Sequence, residues 1–145
     1  KFLYPDADIP VVQLSLNRLQ PAQWHFNLAK KLSALREQGV LIIGSGNIVH
    51  NLRAISWEHI NQIGAGYDWA YAFRDHINHA MTTQNNDDLV HYEQFGEGAA
   101  LSVPTPDHYL PLLYVMALRE PDEKVAFFND NLIAGSLSMT SVLVS

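Results

Sequence analysis

Two histidines lie where the sequence could use them for chemistry. His50 ends the stretch GVLIIGSGNIVH, in which a short apolar run leads into Gly44 and Gly46. This pattern is typical of a chain that leaves the carboxyl end of a strand through a sharp turn, where open α/β sheets place their ligand-binding loops. Imidazole changes charge near neutral pH and also binds metals, so His50 is a candidate acid–base group or metal ligand.

The glycines before His50 do not complete a phosphate-binding or nucleophile motif. A dinucleotide fingerprint needs a third glycine where Val49 stands, and a Walker loop needs a lysine after its last glycine. A nucleophile elbow needs a glycine where Ile43 stands. The alternative left open is that the glycines only turn the chain and that His50 packs or caps.

His108 is the second candidate, in the stretch PTPDHYLP. It lies in or just ahead of the first turn of a predicted helix, where free N–H groups favour neutral imidazole, the form that binds a metal. It could instead pack against a loop. His76 and His79 could chelate from one helix, but they flank an apolar stripe, which favours a solvated or half-buried edge. Two histidines do not define a metal site, because such a site needs three protein ligands.

The composition limits the classes of protein to which the chain can belong. The chain has 145 residues, of which 48% are hydrophobic and 17% charged, as in one globular unit. Its formal charge of −6, without a Lys/Arg cluster, argues against a nucleic-acid partner. The apolar run from Leu110 to Leu118 is far shorter than the roughly 20 residues of a membrane span. We expect a cytoplasmic protein that does not enter a membrane.

The candidate histidines need elements that position them. Residues 8–16 and 40–43 read as buried strands, and residues 20–39 between them read as a helix. A strand, a crossover helix and a second strand predict a βαβ unit with parallel strands, and hence an α/β fold.

Downstream of this unit, turn and periodicity signals predict further elements. Pro111 should delay one regular helix until about Leu110, because proline is tolerated only in a first turn. The predictions are a short helix at 56–64, an amphipathic helix within 67–84, a helical turn at 89–92, the delayed helix, and two closing strands within 125–130 and 134–145.

Four stretches of the sequence carry a family resemblance: YPDADIPVVQLSL, LIIGSGNIVHNLR, PTPDHYLPLLYVMA and GSLSMTSV. In this order they resemble the carboxyl-terminal half of the DOPA extradiol dioxygenases, within the class III extradiol ring-cleaving dioxygenases. The resemblance covers nearly the whole chain. It implies an α/β domain with a central, mostly parallel or mixed sheet flanked by helices.

The resemblance also implies an activity. A catechol, with DOPA as the model substrate, would be opened beside its two hydroxyls by O₂, with Fe(II) as the cofactor and Zn(II) as a plausible bound metal. His108 matches a metal-ligand histidine of this branch. His50 matches a pocket histidine assigned as acid–base group, which can also approach the metal.

Two features predict that residues 1–145 are a single unit from the carboxyl-terminal portion of a longer catalytic domain. The chain begins without Met, and the family's other ligand histidines belong to motifs that are not found here. Possible partners are then a missing amino-terminal segment or further copies of the chain. The alternatives to a dioxygenase are a zinc-dependent hydrolase and a non-catalytic fragment that pairs with the missing half.

Overall fold

The computed structural model describes residues 5–145, which form helices and two small sheets around a shared apolar core. The helices are α1 Ala22–Lys30, α2 Ser33–Glu37, α3 Asp68–Thr82, α4 Asn86–Val90, α5 Glu97–Ser102 and α6 Leu110–Ala117. The strands are β1 Val125–Phe128, β2 Leu132–Ile133, β3 Leu137–Ser138 and β4 Ser141–Val144. Short 3₁₀ turns occupy Leu52–Ala54, Trp57–His59, Tyr92–Phe95 and Pro106–His108.

Helix α3 is the centre of the core, as its apolar stripe predicted. Its buried face carries Phe73 and Ile77, both with no exposed surface. Phe73 contacts Tyr109 and Tyr92 from the segments that follow, with ring centroids 6.4 Å away in each pair. Burying such a stripe is the main source of helix stability in a protein of this size.

Helix α6 begins at Leu110, with Pro111 in its first turn, as predicted. The missing N–H of a proline costs nothing there, because first-turn N–H groups have no helical acceptor. The preceding 3₁₀ turn, Pro106–His108, carries one candidate histidine. The residue before this turn, Thr105, makes no capping hydrogen bond with its side chain.

Both sheets are antiparallel hairpin-like pairs. β1 pairs with β4, with Val125 opposite Val144, and β2 pairs with β3, with Leu132 opposite Ser138. The predicted closing strands are therefore present, but the second of them is divided into shorter pieces. The turn after β1 places Asn129 at a φ of 52°, a left-handed conformation that asparagine tolerates well.

The structure corrects the prediction of strands at 8–16 and 40–43. Neither is a strand, and the βαβ unit and the central, mostly parallel sheet are not found within residues 5–145. A strand needs the N–H and C=O groups of a neighbour, and these two segments do not pair with each other or with another described segment. Most of their apolar side chains are left in solvent, with Val12 91% and Leu41 71% exposed.

Two predicted helices are also corrected. The helix expected over 20–39 is divided into α1 and α2, because the N–H groups of Lys31 and Leu32 turn to carbonyls three residues back. The helix expected over 56–64 is only the 3₁₀ turn Trp57–His59. Within the described part of the chain, no helix has both the length and the apolar character that a membrane span requires.

Candidate functional site

The structure brings His50 and His108 together, although they are far apart in sequence. Their ring centroids are 5.1 Å apart and their planes are inclined at 74°. Both rings border a pocket of about 350 Å³, within the range of small-molecule sites. The pocket is lined by Asn47, His50, Leu52, His108, Leu137 and Met139.

The glycine turn allows the two histidine-bearing segments to meet. The backbone N–H of Asn47 donates to the carbonyl of His108 at 2.8 Å. A Cβ atom on Gly46 would overlap that carbonyl oxygen, and one on Gly44 would lie 2.6 Å from the carbonyl oxygen of Pro111. Glycine is therefore required here by close approach of two backbones, which is a different use from a phosphate cradle or a nucleophile elbow.

The ring of His50 lies between two carbonyl oxygens. Its Nδ1 is 3.1 Å from the oxygen of Asn47 and its Nε2 is 2.9 Å from the oxygen of Thr105. A neutral imidazole has one N–H and can donate to only one of them, whereas the imidazolium donates to both. A nitrogen of His50 can coordinate a metal only after its ring leaves one of these carbonyls.

Burial works against the charged form of this ring. His50 is 6% exposed, and this desolvation lowers its pKa below the ordinary value for histidine. The carbonyls of Thr105 and Asn47 partly offset the effect, while the neighbouring His108 adds to it. His50 is thus a buried group that is neutral near pH 7 and has hydrogen-bond acceptors ready for an added proton.

The backbone around His50 is fixed from two sides. Its N–H donates to the carbonyl of Ser102 at 2.9 Å. On the other side lies the segment 135–139, which we call the serine strap. The hydroxyl of Ser136 donates to the carbonyl of Asn51 at 2.7 Å, and the hydroxyl of Ser138 accepts from the N–H of Val49 at 3.2 Å. Both serines are buried, so these bonds are shielded from water.

His108 is more open than His50. Its side chain is 55% exposed, and its Nδ1 lies 3.7 Å from a carboxylate oxygen of Asp107. The next residue, Tyr109, is fully buried and donates its hydroxyl to the carbonyl of Leu89 at 2.9 Å. This anchor holds the turn in place and leaves the imidazole of His108 accessible from the pocket.

The described residues do not complete a metal site by themselves. Within 5–145 there is no group of three or more His, Cys, Asp or Glu side chains placed to hold one ion. Both nitrogens of His50 face carbonyls, so of the two histidines that border the pocket only His108 presents an accessible imidazole. A protein metal site needs about three ligands.

The other histidine pair lies away from this pocket. The Nε2 of His76 is 3.6 Å from a carboxylate oxygen of Asp88, and its ring contacts Phe95. The side chain of His76 is 31% exposed. This placement fits the half-buried helix edge that the apolar stripe indicated.

Sequence reasoning missed two polar residues of the site. Asn47 borders the pocket, and Ser138 belongs to the strap that holds it. Both lie in stretches that carry the family resemblance, GSGNIVH and GSLSM, and that was the available signal. Nothing in their spacing along the chain shows that they meet.

Comparison with known proteins supports the resemblance. No family model matches the chain. A 4,5-DOPA extradiol dioxygenase from Escherichia coli K12 is 43% identical over 145 residues, which is 98% of this chain and 52% of that protein. Nearly the whole chain thus matches about half of a 4,5-DOPA extradiol dioxygenase. The resemblance that its four stretches indicated is thereby confirmed.

Other relatives of this chain are more distant. The enzyme of that name from Beta vulgaris is 31% identical over 140 residues, which is 96% of this chain and 50% of that protein. The chain spans about half the length of the curated relatives it matches. A crystal structure of an uncharacterized protein from Escherichia coli K12 superposes with a TM-score of 0.86 at 44% identity, over 97% of this chain and 57% of that one.

Proposed function

We propose that this chain supplies the His50–His108 pocket of an extradiol dioxygenase, which opens a catechol ring beside its two hydroxyls with O₂. DOPA-like catechols are the proposed substrate class. The observation that carries the proposal is the meeting of two imidazoles, with centroids 5.1 Å apart, on a partly apolar pocket in a relative of such dioxygenases.

The pocket has the groups that such a substrate needs. Leu52, Leu137 and Met139 provide apolar surface against which an aromatic ring can pack. A catechol must lose protons as its ring is opened, and a neutral histidine can accept one and later return it to the product. His50 is suited to this role because burial lowers its pKa while two carbonyls stand ready to stabilise the protonated ring.

The proposal extends to the cofactor. We assign Fe(II) as the metal required for activity and Zn(II) as an alternative occupant, since zinc competes well for imidazole ligands. His108 is the proposed ligand from this pocket, and His50 joins only if its ring rotates. The remaining ligands would have to come from outside residues 5–145, because the described residues do not provide them.

An oxygen-electrode assay tests the activity. The protein, loaded with Fe(II), is mixed with a 4-substituted catechol while dissolved O₂ and visible absorbance are recorded together. We expect O₂ uptake in step with a yellow ring-opened product. A zinc-dependent hydrolase, the rival reading from sequence, would consume no O₂. Absence of both signals in metal-loaded protein contradicts the proposal.

A second candidate function, that of a non-catalytic half-domain, is supported by the exposed surface of two segments. Residues 8–16 and 40–43 expose β-branched and aliphatic side chains that sequence alone assigned to buried strands. Such segments are typical of strands that lack their neighbours. In this reading the chain is a non-catalytic half-domain that becomes functional when strands from elsewhere pair with these segments.

A further inference from the structure

Asn47 connects the two histidine-bearing segments to the serine strap. Its N–H donates to the carbonyl of His108 at 2.8 Å, and its own carbonyl lies 3.1 Å from Nδ1 of His50. Its side-chain amide reaches the serine strap, where Nδ2 donates to the carbonyl of Ser138 at 2.6 Å. Asn47 is therefore held by three contacts in which its side-chain oxygen takes no part.

The strap determines which way the amide of Asn47 points. A carbonyl oxygen can only accept, so the amide atom that faces Ser138 must be the nitrogen. The other atom, Oδ1, is left with no hydrogen-bond donor from residues 5–145. Asn47 is only partly buried, and its residue borders the pocket.

The lining of the pocket indicates which kind of ligand Oδ1 can bind. The pocket that Asn47 borders is otherwise lined by two histidines and three apolar side chains, those of Leu52, Leu137 and Met139. The nitrogens of His50 are directed at carbonyls. A fixed, neutral acceptor at the edge of an apolar surface is suited to an aromatic ring that carries a hydroxyl, since the ring packs while the hydroxyl donates.

We propose that Oδ1 of Asn47 accepts a hydrogen bond from a ring hydroxyl of the substrate and so selects hydroxylated aromatics over their methyl ethers. This inference rests on the proposed function, because it takes the pocket to be the catechol site. Sites built to bond a hydroxyl reject analogues that lack it, since the polar group of the site is then left unpaired.

Ligand binding without turnover tests the inference. The chain is treated with a chelator and kept anaerobic, so that neither metal nor ring opening contributes. Binding of 4-methylcatechol and of 3,4-dimethoxytoluene, which cannot donate a hydrogen bond, is followed by NMR titration. The variants are Asn47→Ala and, as a matched control, Ser138→Ala, which loosens the same strap without removing the acceptor. If Asn47→Ala does not fold by circular dichroism, Asn47→Leu replaces it, since leucine is similar in size and carries no acceptor.

We expect Asn47→Ala to weaken binding of the catechol roughly three- to tenfold, as the loss of one neutral hydrogen bond implies. Binding of the ether should change less than about twofold in the same variant. Equal weakening of both ligands, a comparable loss in Ser138→Ala, or no catechol binding by the unaltered chain would overturn the inference. Asn47-dependent binding in a protein that consumes no O₂ would refute the proposed activity and leave this assignment standing.

Discussion

His50 owes its chemical character to two carbonyl oxygens and to burial. The carbonyls of Asn47 and Thr105 favour a doubly protonated ring, and burial favours a neutral one. The balance lowers its pKa, so the ring is neutral near pH 7 and can take up a proton without losing its partners. His108 has a different setting, since its imidazole is half exposed and its Nδ1 lies 3.7 Å from a carboxylate oxygen of Asp107. The two histidines are thus suited to separate tasks.

This division of tasks predicts a difference in metal content. In the metal-loaded protein, His108→Ala should lower the bound metal measured by elemental analysis, because it removes the accessible imidazole of the pocket. His76→Ala removes a histidine that lies against Asp88 and Phe95, so it serves as the control and should retain metal. Full metal occupancy in His108→Ala would show that His108 is not a ligand.

Gly46 is the position where the smallest added group should matter most. The Cβ of Gly46→Ala would meet the carbonyl oxygen of His108, which is backbone and cannot rotate away. We expect overpacking to lower the free energy of unfolding by about 1–3 kcal/mol, measured by urea denaturation. Ser45→Ala, at an exposed position in the same turn, should leave the transition unchanged. Coincident transitions for Gly46→Ala and the unaltered chain would show that the two backbones are not in contact.

Asp130, in the turn between β1 and β2, connects helix α3 to the turn between β3 and β4. Its carboxylate accepts from Arg74 at 3.0 Å and Asn78 at 3.1 Å, both on α3, and from Thr140 at 2.7 Å, between β3 and β4. Burial raises the pKa of Asp130, but the hydrogen bonds from Thr140, Arg74 and Asn78 outweigh it, so the pKa is lowered overall. The carboxylate therefore fixes the antiparallel sheets to the central helix.

The sign of this pKa shift determines a pH dependence. A carboxylate with a lowered pKa in the folded chain stabilises it fully above the unfolded pKa of about 3.9, and this contribution is lost as pH falls through the folded value. At pH 7, Asp130→Asn should lower the free energy of unfolding by about 1–3 kcal/mol. The difference should shrink below about pH 4, as measured by denaturant titration across pH. Asp122→Asn, at an exposed position, is the control, and an equal effect of Asp130→Asn at all pH values would contradict the assignment.

Local patterns predicted the elements that depend on local interactions. The stripe of α3 and the delayed start of α6 at Leu110 follow from side-chain periodicity and from the missing N–H of Pro111, and both are observed. The secondary structure of segments 8–16 and 40–43 could not be predicted from local patterns. Their composition favours strands, but a strand exists only with a neighbour, and the sequence of the segment does not reveal one.

The candidate site was predictable in part. The turn before His50 and the first-turn position of His108 marked two candidates, and the structure places their rings side by side. The roles of Asn47 and Ser138 depend on a contact between residues about 90 positions apart in the chain, at 2.6 Å. Spacing within a motif carries no information on such a contact.

The exposed apolar side chains of residues 8–16 and 40–43 determine whether the chain should associate in solution. Val11 and Val12 are 86% and 91% exposed, and Leu41 and Ile43 are 71% and 68% exposed. Soluble monomers rarely expose such runs of apolar side chains, and unpaired strand-like segments tend to associate. The same segments lie in a chain that spans about half the length of its relatives.

We therefore expect the 145-residue chain to self-associate in sedimentation velocity experiments. The double variant Val12→Lys with Leu41→Lys should shift it toward the monomer, because charge on these segments opposes pairing. Leu143→Lys, at an exposed position on β4, is the matched control and should not have this effect. A monodisperse monomer for the unaltered chain would argue that these segments need no partner.

The most direct test of the account is the ring-opening rate of His50→Gln, measured in the intact protein at a metal content equal to that of the unaltered enzyme. Glutamine retains a side chain that can donate to a carbonyl, but it cannot take up a proton at neutral pH. We expect the rate with a DOPA-like catechol to fall roughly 10²- to 10⁴-fold, as is typical when an acid–base group is lost. An unchanged rate at equal metal content would show that His50 is not the group that moves the proton.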